Sequence, residues 1–303
     1  MRLAILFSGQ GHQQSSHLDA LREDISPELA TALAKAIPTV WEATSPIAGE
    51  IQVNAVAQPL IFGYQMKLWQ QLQSALPRPV CVAGYSLGEM AACCVAGAFP
   101  VVAGVDLCTR RAELMDSCMN EPAGLLAVLG LGAVAVAELA SQCGLAVAIR
   151  NAPDNFVLGG RAHGLVPAER LAKAAGAKRV VRLAVSTPSH TPLLAAASAG
   201  FAAHLHAYRE GRLAFPVLSA IDGRAAHSAT DGMDSLARQI STPLDWEACL
   251  SAVLEMQPDV LLEIGPGNAL ARMWSERETG VPVRASADFR TVAGIVDWVR
   301  QCD

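Results

Sequence analysis

A chain of 303 residues, 52% hydrophobic and 17% charged, is globular and long enough to bury a large core, which excludes a disordered or low-complexity protein. Its net charge of −5, from 23 basic and 28 acidic residues, removes any general attraction to nucleic acid or to an anionic membrane. No apolar run reaches the roughly 20 residues that a bilayer crossing requires.

The eight cysteines form no C-x-x-C pair and stand mostly in apolar or helical surroundings, so reduced, buried thiols in a cytoplasmic protein are expected. None of the seven histidines stands at metal-ligand spacing with them, and no zinc site is expected. His204 and His206 are two apart, which points them to different faces of a helix.

In chain order, the apolar run Leu3–Phe7 reads as a first strand rather than a leader. It enters the glycine-punctuated loop Ser8-Gly9-Gln10-Gly11-His12-Gln13. Helical patterns follow over about Asp19–Ala36 and Gln58–Ala75. The strand Val80-Cys81-Val82 then leads into Ala83-Gly84-Tyr85-Ser86-Leu87-Gly88-Glu89, and an Ala-rich helix starts at Met90. This is Gly-x-Ser-x-Gly between a strand and a helix, the context of a nucleophile elbow. The glycines let strand and helix approach around a strained turn, and Ser86 stands at a helix N-terminus, where developing negative charge is favoured. The plainer alternative is a Gly-bounded turn with a capping serine.

A helix near Gly104–Met119 carries Arg110 and Arg111. From Gly124 the order becomes strand Leu125–Leu129, helix Ala133–Cys143, strands Leu145–Ile149 and Phe156–Leu158 around an Asn-Ala-Pro-Asp-Asn turn, helix Leu165–Ala175 and strand Arg179–Val185. That β-α-β-β-α-β succession is the ferredoxin-like unit. Helix Pro192–Tyr208, strand Phe215–Ser219, a further helix, strand Val260–Ile264 with Gly265-Pro266-Gly267, and a final helical region complete the chain. The expected class is α/β, with a small domain at 122–187 inserted into a larger one formed by 1–121 and 188–303.

A serine hydroxyl needs a base to accept its proton. His190, in the polar turn Ser186-Thr187-Pro188-Ser189-His190, is the preferred candidate. His227, after Asp222-Gly223-Arg224, remains the alternative and would suit a Ser-Asp-His order with Asp222.

Five motifs stand in order over nearly the whole chain: Gly9-Gln10-Gly11-x-Gln13, the elbow, Arg111 with Met115, Pro188-Ser189-His190, and Glu263-Ile264-Gly265-Pro266-Gly267. Together they resemble the malonyl-CoA:acyl carrier protein transacylases. The resemblance implies an α/β-hydrolase-like large domain with an inserted ferredoxin-like small domain. It implies Ser86 as nucleophile, His190 as general base and acid, and the amides of Gln10 and Leu87 as the oxyanion hole. Gln239 would orient His190 through its main-chain carbonyl, and Arg111 would bind the malonyl carboxylate through two parallel hydrogen bonds. Asn151 and Ser189 fall at positions of the substrate pocket. Turn chemistry for Asn151, and a merely solvated helix face for Arg110 and Arg111, are the plainer readings.

The implied reaction is ping-pong, from malonyl-CoA to a phosphopantetheine-type thiol of an acyl carrier protein, with no metal or redox cofactor. Carrier proteins of this kind are commonly acidic, so Lys173, Lys178, Arg179 and Arg182 are candidates for a basic docking face, against the alternative of scattered surface charges. The chain departs from the common pattern at Tyr85 (usually histidine), Ser8 (usually proline) and Asp245 (usually glutamine). Gly-Tyr-Ser resembles the epsilon subunit of malonate decarboxylase, whose carrier bears a dephospho-CoA derivative, and this branch is the preferred expectation. A malonyl transacylase of fatty-acid or polyketide synthesis, a serine thioesterase and a non-catalytic carrier-binding subunit are the alternatives.

Overall fold

The structure, a computed structural model, describes residues 1–43 and 49–302. Leu3–Phe7 is apolar without alternation, as a strand covered on both faces should be, and forms β1 inside a six-stranded sheet. The sheet order is β11-β10-β1-β2-β7-β8, with β2 at Cys81–Gly84, β7 at Arg212–Leu218, β8 at Ala225–Ser228, β10 at Val260–Ile264 and β11 at Val283–Ala285. All neighbours are parallel except β8, which runs antiparallel to β7. Side chains of β1 alternate between two cores. Leu3, Ile5 and Phe7 join a large cluster, and Ala4 and Leu6 join a second one with Trp246 and Trp274.

The helices before the elbow are α1 (Ser15–Arg22), α2 (Pro27–Ala36), α3 (Pro38–Glu42) and α4 (Asn54–Leu72). The single helix expected over 19–36 is thus two. Asp24 takes a left-handed φ of 48°, and Ser26 caps a new helix by accepting from the Leu29 amide at 3.3 Å, with Pro27 at its first position. After β2 come α5 (Gly88–Val95) and α6 (Val101–Ser117).

A second sheet contains β3 (Ala123–Leu129), β4 (Ala146–Ala152), β5 (Asn155–Arg161) and β6 (Arg179–Arg182), with α7 (Ala133–Gln142) and α8 (Ala162–Ala174) in between. Its order is β6-β3-β5-β4-β9, antiparallel except where β9 (Leu244–Asp245) joins β4 in parallel. α7 and α8 cover one face, while Leu125, Ala148, Ile149 and Val157 pack from the other face into the core of Trp246 and Trp274. Asn151 and Ala152 lie within β4, so the expected turn is narrower than the Asn-Ala-Pro-Asp-Asn string. The expected strand 179–185 stops at Arg182.

The helix expected over 192–208 is α9 (Ala195–Leu205) flanked by two single 3₁₀ turns. The remaining helices are α10 (Ala229–Arg238), α11 (Trp246–Glu255), α12 (Ala269–Ser275) and α13 (Val292–Gln301), and β11 interrupts the expected final helical region. Six cysteines are buried, while Cys118 and Cys302 are partly exposed. No helix among the described residues is long and apolar enough to cross a membrane.

The turn from β2 to α5 is the tightest crossing in the sheet. A Cβ on Gly84 would lie 2.0 Å from the Gly88 carbonyl carbon, and one on Gly88 would lie 2.1 Å from the Phe7 carbonyl oxygen. Backbone on both sides has no room to give. Gly88→Ala is therefore expected to cost at least about 2 kcal/mol of stability, checked by urea unfolding of the purified variant against the parent.

Candidate active site

The site grows out of that crossing. Ser86 adopts a left-handed φ of 53°, which a non-glycine residue takes only when the surroundings enforce it. Tyr85 donates its amide to the Phe7 carbonyl at 2.9 Å, and Glu89 donates its amide to the Ser86 carbonyl at 3.0 Å, so the turn is pinned at both ends. The Ser86 Oγ lies 2.7 Å from His190 Nε2. His190 itself has a φ of 65°, held by its amide donating to the Ile240 carbonyl at 2.9 Å.

His190 Nδ1 is 2.5 Å from the Gln239 carbonyl oxygen. A carbonyl only accepts, so Nδ1 carries the hydrogen and Nε2 turns its lone pair to the serine hydroxyl. Burial pushes the imidazole down to about 3, with the Arg111 charge acting in the same direction and the Gln239 carbonyl opposing it. The ring is neutral at ordinary pH, the state in which it can accept a proton.

Arg111 is buried on α6 and donates from Nη1 to Gln58 Oε1 at 3.0 Å. Gln58 is held in turn by Met115, whose sulfur lies 3.7 Å from Gln58 Nε2. The spacing from Arg111 to Met115 thus turns both side chains to one amide. Arg111 Nε and Nη2 are buried with no partner among the described residues. These two atoms form the side edge of the guanidinium, the fork that matches a carboxylate. Burial lowers its pKa to about 10, which leaves it charged at neutral pH.

The loop after β1 passes directly over the elbow, since a Cβ on Gly9 would lie 2.7 Å from the Tyr85 carbonyl oxygen. Gln65 Nε2 donates to the Ser8 carbonyl at 2.7 Å, and Gln13 fastens the loop to Gln52 and Ile51. Gln10 donates from its side chain to Asn54 Oδ1 at 3.1 Å, and Asn54 bonds Asp116 and Thr187. Leu87 precedes α5, whose first amides have no partner within the helix.

Tyr85 donates its hydroxyl to Asn151 Oδ1 at 3.0 Å and packs edge-on against Trp246. Burial raises the phenol above its ordinary value. Ser189 folds back on its own turn, its amide donating to the Thr187 carbonyl at 2.8 Å. A cleft of about 410 Å³ is walled by Gln10, Tyr85, Asn151, Arg179 and Met273. A second one of about 650 Å³ is walled by Asn54, Asp116 and Thr187, and residues 183–185 divide the two.

The four basic candidates separate on contact. Lys173 and Arg182 both pair with Glu169, and Lys178 lies 3.6 Å from Asp154. Arg179 has no ion-pair partner among the described residues and lines the smaller cleft. His227, the alternative base, is exposed on β8, and His204 and His206 are exposed as well. Not singled out from sequence were Asn54, Gln58 and Gln65, buried amides on α4. Their signal was polar side chains recurring at helical spacing on a core face.

Residues 6–287 match the acyl transferase domain family. The chain is 34% identical over 291 residues to the malonyl CoA-acyl carrier protein transacylase of Mycobacterium tuberculosis, covering 93% of this chain and 95% of that protein. The transacylase of the same name from Escherichia coli is 27% identical over 281 residues, covering 89% and 90%. Among solved structures, the malonyl-CoA:acyl carrier protein transacylase of Helicobacter pylori superposes with a TM-score of 0.89 at 25% identity, covering 99% of both chains. A malonyl-transacylase in complex with a type II PKS acyl-carrier protein gives 0.87 at 26%, covering 98% of this chain and 99% of that one.

The state of His190 is directly measurable. Its folded pKa lies below the unfolded one, so the unfolded chain binds the extra proton and stability falls as pH drops from about 6.5 toward 3, with a slope approaching 1.4 kcal/mol per pH unit. Histidine NMR should show a ring assigned to His190, by its absence in His190→Gln, that does not titrate between pH 5 and 8.

Proposed function

The chain belongs to the acyl transferase domain family, and we propose that it carries a malonyl group from malonyl-CoA to the thiol of an acyl carrier protein through a malonyl-Ser86 intermediate. It is an acyltransferase of the malonyl-CoA:acyl carrier protein transacylase kind. The observation that carries the substrate reading is Arg111. Its buried fork has no hydrogen-bond partner at Nε and Nη2 among the described residues, and its charge reaches His190 of the Ser86–His190 pair.

In this reading Ser86 Oγ attacks the thioester carbonyl while His190 Nε2 takes its proton. The oxyanion is met by the amides of Gln10 and Leu87, each such donor accounting for about 100- to 1,000-fold in rate. The carbon–sulfur bond breaks, and His190 returns the proton to the departing CoA sulfur. The carrier thiol then attacks the serine ester with the same base, and Ser86 recovers its proton. Gln239 keeps the imidazole in the productive tautomer, which makes a carboxylate partner unnecessary. Arg111 favours malonyl over acetyl because a neutral acyl group leaves a buried charge unpaired. Asn151 and Tyr85 belong to the wall of the cleft through which the pantetheine arm reaches the serine, while Ser189 supports the turn that bears the base.

The same reading takes 1–121 and 188–303 as an α/β-hydrolase-like domain and 122–187 as a ferredoxin-like insert, supported by the antiparallel order β6-β3-β5-β4. The relatives named above favour a carrier protein of fatty-acid or polyketide synthesis. The second reading, the dephospho-CoA-type carrier subunit of malonate decarboxylase, is favoured by Tyr85, whose hydroxyl is committed to Asn151. Of the basic candidates, Arg179 is the one free to meet an acidic partner at the cleft mouth.

Labelled malonyl-CoA should give a covalent adduct on the parent and none on Ser86→Ala. Rapid release of free malonate without a carrier would indicate a thioesterase, and full function of Ser86→Ala a non-catalytic subunit. Arg111→Ala should lower kcat/KM for malonyl-CoA about 100-fold or more while narrowing the gap to acetyl-CoA. Arg179→Glu should raise KM for the carrier several-fold more than KM for malonyl-CoA. Transfer rates to the two carrier types decide between the two carrier readings.

A further inference from the structure

Glu89 is fully buried in the first turn of α5, three residues beyond the nucleophile, and takes no part in the chemistry above. Its Oε1 accepts from Ser235 Oγ at 2.5 Å, and its Oε2 accepts from the Ala220 amide at 3.1 Å. Ser235 sits on α10, one turn before Gln239, and its carbonyl accepts from the Gln239 amide at 2.9 Å. The Gln239 carbonyl accepts from His190, His190 faces Ser86, and the Ser86 carbonyl accepts from the Glu89 amide at 3.0 Å. The bonds therefore form a closed circuit: Glu89, Ser235, Gln239, His190, Ser86 and back to Glu89. It ties the helix that presents the nucleophile to the turn that aims the base.

We propose that Glu89 is a positioning residue, whose ionised carboxylate holds α10 against α5 and so keeps the base in register with the serine. The proposal rests on the reading of Ser86 and His190 as nucleophile and base, and not on the identity of the acyl group. An ionised carboxylate suits the place because both facing groups donate. The Ala220 amide cannot turn, and the Ser235 hydroxyl, 2.8 Å from Ser219 Oγ, gives its hydrogen to Glu89. A protonated or amide side chain offers one acceptor and one donor in place of two acceptors, and loses the charge-assisted bond.

The surroundings set when that carboxylate ionises. Burial raises it to about 7, opposed by the Ser235 and Ala220 bonds and by the charge of Arg111 on α6. Asp222, after β7, raises it further. Cys93 on α5 and Cys249 on α11 also face it, and burial holds both thiols well above their ordinary value, so they stay neutral. The base itself is pushed to about 3 and contributes no step near neutrality.

Diisopropyl fluorophosphate reports the activation of Ser86 without any acyl-CoA. In the parent, the labelling rate should rise with pH through about 7, as Glu89 ionises. Glu89→Gln should label about tenfold more slowly at pH 8 and lose that rise. Ser235→Ala should slow labelling in the same direction, and it carries the test alone if Glu89→Gln does not fold. The downfield His190 Nδ1 proton resonance should broaden or move upfield in either variant. Labelling within twofold of the parent in a folded variant, or a slowed Glu89→Gln that keeps the rise near pH 7, would overturn the proposal. If the parent takes the diisopropylphosphoryl group but no malonyl group, the transfer reading fails and the circuit stands.

Discussion

Everything at this site depends on how closely one strand and one helix can cross. Gly84 and Gly88 let β2, α5 and the end of β1 meet at distances that leave no space for a Cβ. The connecting residue is forced into left-handed backbone, a conformation that costs on the order of 1–3 kcal/mol for a side chain like that of Ser86. The same crossing sets two more things. It leaves the Leu87 amide at the head of α5, and it brings Gly9, with the Gln10 loop behind it, onto the Tyr85 carbonyl. The proposed nucleophile and oxyanion donors are therefore consequences of a single packing decision, and the sheet around them supplies the stability that holds the strain.

The electrostatics follow the same economy of parts. Arg111 is hydrogen-bonded to a neutral amide, Gln58, while the buried Glu89 carboxylate acts on it only through its charge, without a hydrogen bond among the described residues. A carboxylate in place of Gln58 would have been the easier solution for stability, because a buried charge is costly unless paired. The neutral partner leaves one edge of the guanidinium for an anion from outside. The free charge also helps to hold His190 down, second among the lowering causes after burial. In the proposed reading, a dicarboxylic acyl group paired with Arg111 would remove part of that influence and strengthen the base. A neutral acyl group brings no such relief. In that reading, selectivity and basicity are coupled through one side chain.

Much of this was legible in the chain because it is local. The apolar run Leu3–Phe7, the paired glycines of the elbow and the succession from Ala123 to Arg182 are all carried by neighbouring residues. His190 was preferred over His227 on its polar turn and on the family motif, but the contacts that fix its ring, to Ser86 and to the Gln239 carbonyl at the end of α10, are long-range. Only the fold shows one ring meeting Ser86 and the other exposed on β8. Gln58 and Glu89 were hidden for a related reason. An amide in an apolar helix, or an acid in a first turn, has an ordinary local explanation until its distant partner is known. The short strands β8, β9 and β11 escaped because two to four residues carry too little periodicity to read. The break at Ser26-Pro27 was legible as a cap but was overridden by the apolar pattern on either side.

Tyr85 shows how a departure from a family pattern gains meaning from its contacts. Its hydroxyl is spent on Asn151 and its ring on Trp246, so it braces the elbow against β4 and α11. Burial keeps the phenol protonated, and a group in that state, already donating its proton, is not available as an acid–base partner for the serine. What histidine could do there by moving a proton, tyrosine replaces with a fixed strut between the two sheets. In the proposed reading, discrimination between carriers falls to the shape that the strut gives the smaller cleft and to Arg179 on its wall, a cation with no ion-pair partner among the described residues.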